Sequence, residues 1–492
     1  MRKNVAKMIE IDWKPDKKNK IALYSQIVSY FSEKVSKGDW IVGQKIPSQR
    51  DLARIFDVNR STVVEAMEEL TSMGLIEGRY GKGTFIVNDT WSLMMSYSTP
   101  NWNTYIEGGN FQANKPTIQK INKMEYEEGI LRLGTGEMSP QLFPADSMKV
   151  VLSGIADKIG SLSYLPPLGL VELREALCKY LERKGIFVTP ANILIVSGGL
   201  QALHLISMCI LPPKSTVYIE KPSYLSSINV FQSAGIILEG VPMDNGGMMP
   251  WMVKNKDLNV SRSLIYTIPT FQNPTGKVMT DNRRKELLNY CKINKMPMVE
   301  SDPFGDLWFD NPPPLSIKSN DTNGIVLYIG GVSKSLAPGL RIGWLVGPES
   351  VIQRLADVKM QTDYGSSSLS QWAVTEWLES GLFDQHLVRL RQQLKSRRDF
   401  MLGILDLHFQ DLATWEVPLG SYYIWLKIKQ NISANKIFEV ALKENILLNP
   451  GEIYDGGHQY LRLSYAYESH ENMEKGLIKL AEIIRRELSE SV

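Results

Sequence analysis

At 492 residues the chain is too long for one ordinary domain, and about two to four are expected. Its composition, 43% hydrophobic and 22% charged, is that of a water-soluble globular protein and excludes a low-complexity or repetitive chain. A formal net charge of +2 decides nothing globally, so charge has to be read locally.

The N-terminus, Met1 to Lys20, carries no apolar signal-peptide core. Leu23, Ile27, Tyr30 and Phe31 then recur at helical spacing, with Gly38 and Gly43 as stops. Ser48 is placed to cap a second helix beginning at Gln49, whose apolar face is Leu52, Ala53 and Phe56. A turn at Asp57-Val58-Asn59 leads into a third helix with Val63, Ala66, Met67 and Leu70 on one stripe. That stripe leaves Arg60, Ser61 and Thr62 exposed at its N-terminus. Beyond Gly74, two short strands flank the basic tip Arg79-Tyr80-Gly81-Lys82-Gly83.

Helix, tight turn, helix and basic hairpin describe a winged helix-turn-helix. In that arrangement the third helix enters the major groove of double-stranded DNA. Arg60 then reads a guanine edge, Ser61 and Thr62 hold phosphates, and Lys82 reaches the adjacent groove or backbone. The strings Pro47-Ser-Gln-Arg-Asp-Leu-Ala53, Val58-Asn-Arg-Ser-Thr-Val63 and Gly74-Leu-Ile-Glu-Gly-Arg-Tyr-Gly-Lys-Gly-Thr-Phe85 resemble the GntR-type DNA-binding domain over residues 20–88. That resemblance implies that Arg50 also contacts DNA.

Residues 89–127 form a linker rich in Asn, Ser, Thr and Gly, with isolated aromatics and the Met94-Met95 pair. Low periodicity argues against regular structure, whereas the apolar residues argue that parts of it dock on a domain surface.

From about residue 128 to 492, apolar runs alternate with helical patterns, as in an α/β domain with a mainly parallel sheet. The apolar window from Ile193 to Leu211 is broken by Ser197-Gly198-Gly199, Gln201 and His204, so it reads as strand, turn and helix rather than a membrane span. Gly198 and Gly199 let backbone N–H groups and a helix N-terminus hold an anion. The run Ile325 to Ile329 reads as a buried strand leading into Gly330-Gly331-Val332-Ser333-Lys334-Ser335. A lysine that condenses with an aldehyde needs a lowered pKa and no bulky neighbours, and Ser333 and the glycines give Lys334 that setting. Arg341, seven positions on, suits a bidentate phosphate grip. Cys178, Cys209 and Cys291 are widely spaced, make no metal-binding pattern and read as buried thiols of a reducing cytoplasm. No metal site is expected.

The lysine segment resembles the Schiff-base segment of fold-type I, aminotransferase-like pyridoxal 5'-phosphate (PLP) proteins. Four further segments follow in that family's order. The resemblance implies that Tyr164 reaches the cofactor phosphate of a partner subunit, that Tyr224 stacks on the pyridine ring, and that Asn273 in Asn-Pro-Thr-Gly bonds the phenolic oxygen. It further implies that Arg462, on a strand, clamps an α-carboxylate. One string departs from the family. Where the family has Glu-Asp-Asp-Pro-Tyr-Gly, this chain has Glu300-Ser301-Asp302-Pro303-Phe304-Gly305. The pyridine-nitrogen partner becomes Ser301 and a tyrosine becomes Phe304. Asp302 is one residue off and replaces the carboxylate only if the strand carries a bulge.

A GntR-type winged helix joined to such a domain is the layout of the MocR-type transcriptional regulators. The expected divisions are an N-terminal segment (1–19), the winged helix (20–88), the linker (89–127) and the aminotransferase-like effector domain (128–492), which ends in a smaller C-terminal α+β subdomain. The resemblance implies a bacterial, cytoplasmic homodimer with no membrane association. It would bind promoter DNA and sense PLP, or a small amine or amino acid captured on PLP as an aldimine. Two rivals are an active aminotransferase carrying a DNA-binding domain and a scaffold that has lost the cofactor. Ser301 and Phe304 count against the first, and Lys334, Asn273 and Arg341 against the second.

Overall fold

The computed structural model describes residues 8–37, 39–79, 83–87, 108–109, 113–156, 158–253 and 263–490. The chain divides into two compact units, Met1–Gly109 and Asn110–Val492.

In the first unit, helices α1 (Leu23–Ser36), α2 (Gln49–Phe56) and α3 (Arg60–Ser72) enclose Ile27, Phe31, Leu52, Phe56, Val63 and Leu70, all but fully buried. The Ser48 hydroxyl caps α2 by accepting from the Asp51 N–H at 3.2 Å, and Asp57 ends that helix in the left-handed region at φ 54°. That pairing of a capped start with a left-handed stop fixes the tight turn into α3. Strands β1 (Lys45–Ile46), β2 (Ile76–Arg79) and β3 (Gly83–Ile86) form an antiparallel sheet in the order β1-β3-β2. The core begins before residue 20: Ile9 is buried and donates its N–H to Lys45 at 3.0 Å, and Trp13 stacks on Tyr30 at 4.5 Å.

The second unit opens with α4 (Pro116–Met124), at the end of the linker, followed by β4 (Leu131–Arg132). Ile121 of α4 is buried in the unit's main apolar cluster, so this part of the linker is docked. The aromatics Trp91, Tyr97, Trp102, Tyr105 and Phe111 of the linker, with Met94 and Met95, lie outside the described residues.

The central sheet contains β5 (Ile193–Val196), β6 (Thr216–Lys221), β7 (Ile237–Asp244), β8 (Gly247–Met248), β9 (Ser263–Thr267), β10 (Met298–Ser301), β11 (Val326–Gly331) and β12 (Gly343–Val346). Their order is β5-β12-β11-β10-β9-β6-β7-β8. Neighbours from β11 through β7 pair in parallel, whereas β12 runs antiparallel to both β11 and β5. Strands such as β11 are buried from Val326 to Gly330, because helices cover both faces of a parallel sheet. A smaller antiparallel sheet follows, in the order β13 (Ala413–Trp415), β14 (Tyr423–Ile428), β17 (Tyr460–Ser464) and β16 (Asn449–Pro450). Strand β15 (Ile446–Leu447) pairs in parallel with β4, which ties the start of the unit to its end. The α/β class, mainly parallel sheet and C-terminal α+β part agree with the sequence reading.

Candidate functional site

Loops after the carboxyl ends of β9, β10 and β11 converge on a cavity of about 550 Å³, the place where open α/β sheets bind ligands. Its wall includes Lys334, Ser333, Gly199, Tyr224, Asn273, Ser301, Phe304 and Arg462, residues separated by up to 263 positions in the chain.

Lys334 sits in the turn after β11. Its Nζ donates to the Gly136 carbonyl at 2.6 Å. Burial first, and then the Arg462 charge, pull its pKa down to about 8. The segment is held at its backbone: the Tyr422 hydroxyl donates to the Lys334 carbonyl, and a His386 ring nitrogen bonds the Ser335 carbonyl at 2.9 Å. The preceding glycine is dictated by packing. A Cβ on Gly330 would lie 2.4 Å from Trp344 Nε1.

Arg462 is the inner end of the cavity and is 4% exposed. One Nη donates to Asn273 Oδ1 at 2.9 Å and the other to the Gly134 carbonyl at 2.8 Å. Its guanidinium lies 4.0 Å from the Tyr423 ring centroid and 5.0 Å from that of Tyr454. Its buried Nε has no hydrogen-bond partner, and no carboxylate among the described residues pairs with it. A buried cation without a counter-charge costs on the order of several kcal/mol, which a ligand carboxylate would offset. Asn273, engaged through Oδ1, keeps its amide N–H groups for the cavity. Tyr224 follows the cis Lys221–Pro222 bond, and its N–H donates to the Asn273 carbonyl at 3.0 Å.

Gly198 and Arg341 lie together beside this wall rather than on it. Gly198 (φ 100°) precedes α7, the helix Gly199–Cys209 that follows α5 (Ala145–Ala156) and α6 (Val171–Glu182). Arg341, exposed and left-handed at φ 52°, donates to the Ser197 carbonyl at 2.6 Å. A Cβ on Gly198 would lie 2.7 Å from its guanidinium, so only glycine lets Arg341 approach the helix N-terminus. Tyr164 is 81% exposed, 5.4 Å from the Tyr364 ring, and does not line the cavity of its own chain.

Ser301 ends β10 facing the cavity, with its hydroxyl hydrogen-bonded to Tyr266, whose own pKa burial pushes well up. The Phe304 ring is buried edge-on to Tyr422 and Tyr423, at 5.4 and 5.6 Å. Asp302 does not belong to the cofactor set in which the sequence placed it. Strand β10 stays in register with β11 through Ser301↔Ile329, so no bulge turns the next side chain inward. Asp302 instead accepts from the Tyr328 hydroxyl at 2.7 Å, lies 3.6 Å from Lys184 Nζ and lines a separate cavity.

Sequence reasoning missed Tyr266, Tyr423, Gly136, Thr135 and Glu125, all on the cavity wall. Gly136 marks the convergence: a Cβ there would lie 2.9 Å from the Tyr423 hydroxyl and 3.8 Å from both Lys334 Nζ and Arg462 Nη2.

In the first unit, Arg60 and Ser61 are exposed and Thr62 half-buried at the start of α3, and Arg50 is exposed in the first turn of α2. Among the described residues neither arginine side chain forms an ion pair, whereas nearby Arg54 pairs with Asp51 at 2.7 Å. Lys82 lies outside the described residues.

Two family models match the chain: bacterial regulatory proteins of the gntR family over residues 23–86, and aminotransferase class I and II over residues 128–480. The uncharacterized HTH-type transcriptional regulator YisV of Bacillus subtilis is 49% identical over 475 residues, covering 96% of this chain and 98% of that protein. The HTH-type transcriptional regulator NorG of Staphylococcus aureus is 38% identical over 445 residues, covering 90% and 100%. Among solved structures, a kynurenine aminotransferase of Pyrococcus horikoshii matches with a TM-score of 0.72 and 30% identity, over 80% of this chain and 99% of that one. A multiple-substrate aminotransferase of Thermococcus profundus gives 0.72 and 27%, over 80% and 100%. Regulators thus match the chain almost end to end, and aminotransferases match most of it. The chain belongs to the GntR family of transcriptional regulators, in the MocR-type subgroup that fuses a winged helix to an aminotransferase class I and II domain.

Proposed function

We propose that the large unit binds PLP at Lys334 and senses a small amine or amino acid there, and that the winged helix within residues 20–88 carries the result to promoter DNA. The single observation that carries this reading is the uncompensated buried Arg462 in the same cavity as a half-buried lysine of lowered pKa. The other residues fit the cofactor. Lys334 gives up its proton more readily than an ordinary lysine, Asn273 has free donors, Tyr224 offers a ring, and Arg341 with Gly198 and Gly199 makes a helix-terminal anion cradle. The chemistry PLP supplies when bound is reversible covalent capture of primary amines. This chain's part is to make Lys334 easier to deprotonate, to orient a ligand carboxylate with Arg462 and to keep water out with Phe304, Tyr423 and Tyr454. A cytoplasmic homodimer, with Tyr164 serving the partner's site, is part of the same proposal. No helix among the described residues is long and apolar enough to cross a membrane.

The lowered pKa sets a pH dependence. Capture needs the neutral amine, whose fraction rises with pH up to the pKa. Uptake of PLP by the unloaded protein therefore rises about tenfold per pH unit below pH 8 and levels off near 8, instead of climbing to the ordinary lysine value of 10.5. Stopped-flow absorbance across pH 6 to about 10 reads this directly. A rate still rising tenfold per unit above pH 9 would place the reaction on an ordinary exposed lysine.

On the DNA side, Arg60→Ala is expected to cost about 1–3 kcal/mol on the natural promoter and far less on random DNA. Lys82→Ala should weaken both more evenly. Gel-shift titration decides the assignment, and equal losses on specific and random DNA for Arg60→Ala would remove it as a base reader.

A further inference from the structure

We infer that Glu125, at the end of the linker's helix α4, is a specificity-determining residue that selects an amino-acid effector bearing a second positive charge at its far end. This rests on the amine-sensing reading of the cavity and deepens it.

Helix α4 is fastened to the large unit. Ile121 is buried, Ile118 and Met124 pack beside it, and Lys120 Nζ lies 2.6 Å from Glu439. Ile118, Ile121, Asn122 and Glu125 recur at helical spacing, which puts them on one face, and all four line the cavity. The Thr135 hydroxyl, itself buried, donates to Glu125 Oε1 at 2.7 Å and fixes the carboxylate. No bond to Oε2 occurs among the described residues.

The cavity is therefore polarised. One side of it is cationic, because Arg462 has no counter-ion among the described residues. The opposite charge comes from Glu125 and Glu137, which both line the cavity, lie within electrostatic reach of Lys334 Nζ and oppose the effect of Arg462 on it. A diamino carboxylic acid matches that order of charges. Its carboxylate meets Arg462, its α-amine lies at Lys334, and its terminal ammonium meets Glu125. A neutral side chain of equal length gives Glu125 no partner, and an acidic one is repelled. Because α4 ends the segment that leads from the winged helix in the chain, the residue that reads the ligand's far end belongs to the connector itself.

The test uses the full-length protein loaded with PLP and titrated with L-ornithine, L-lysine, L-norleucine and L-glutamate, read by cofactor absorbance and independently by calorimetry. Wild type should bind lysine or ornithine on the order of tenfold more tightly than norleucine, as expected for one partly buried ion pair. Glutamate should bind weakest. Glu125→Gln should erase the preference, so that lysine and norleucine bind alike, and Glu137→Gln should retain most of it. Equal wild-type affinities for lysine and norleucine would overturn the inference without recourse to any variant. So would a preference that persists in Glu125→Gln. Failure of the cofactor reading is separately visible as absence of the yellow band, in which case calorimetry on the same ligands still decides whether Glu125 selects.

Discussion

Replacing Lys334 by alanine abolishes the yellow, borohydride-reducible adduct that the full-length protein is expected to form with PLP. Lys334 is the one lysine among the described residues on the wall of the 550 Å³ cavity. Its ammonium is disfavoured by burial and by the neighbouring Arg462, so the nucleophilic form is populated near neutral pH. Its turn is held at three successive points by Tyr422, His386 and the Val332 carbonyl, so the amine is presented at a fixed place. The expected change is from one adduct per chain to none, measured by borohydride reduction and peptide mapping. A Lys334→Ala protein that forms the adduct at unchanged stoichiometry would assign the chemistry to a different lysine.

The second large effect concerns Ser301 and Phe304. Restoring Ser301→Asp with Phe304→Tyr should raise half-transamination of amino acids by on the order of tenfold or more, because a charged partner commonly moves a pKa by about 1–3. A carboxylate at this place keeps the pyridine nitrogen protonated, and a protonated ring withdraws electrons from the α-carbon. Ser301 faces the cavity and its hydroxyl bonds the Tyr266 hydroxyl, a neutral pair that cannot hold that proton. Asp302 cannot substitute, because it points to the opposite face and is engaged by Tyr328. Proton removal should then be slow while amine capture, which needs Lys334 and Arg462, is retained. Slow chemistry suits a sensor, whose ligand must persist long enough to bias two states of the protein. Single-turnover absorbance measurements compare the double variant with wild type. Wild-type turnover of about 1 per second or faster would show that the chain already catalyses at ordinary enzyme rates.

The parts of the molecule legible in the sequence are those with a local cause. Ser48 announces its helix by its capping chemistry, and the alternation of buried runs with helical patterns announces the parallel sheet. The family resemblance placed Ser301 at the pyridine position, and period-2 alternation made Asp302 conditional on a bulge. The strand pairing then removed that condition, which is a fact about β11 and not about residues 300–305. Tyr266 was illegible because a tyrosine in the middle of β9 has the same signature as any core aromatic. Glu125 and Thr135 were illegible for a different reason. Their roles arise from the docking of α4 against a segment ten residues further on, and low periodicity in the linker gave no warning of it. The start of the winged-helix core was set too late because Ile9 and Trp13 belong to no repeating pattern, and their burial depends on Tyr30 and Lys45.

The central claim is that amine capture at Lys334 changes DNA binding by the winged helix. Its most direct measurement is fluorescence anisotropy of a promoter fragment titrated with PLP-loaded wild-type protein, with and without a panel of primary amines that includes L-lysine and L-ornithine. The same titration is run with Lys334→Ala. At least one amine should shift the DNA affinity of the wild type, and none should shift that of Lys334→Ala. An amine-dependent shift of equal size in both proteins, or the absence of any shift in the loaded wild type, would contradict the account.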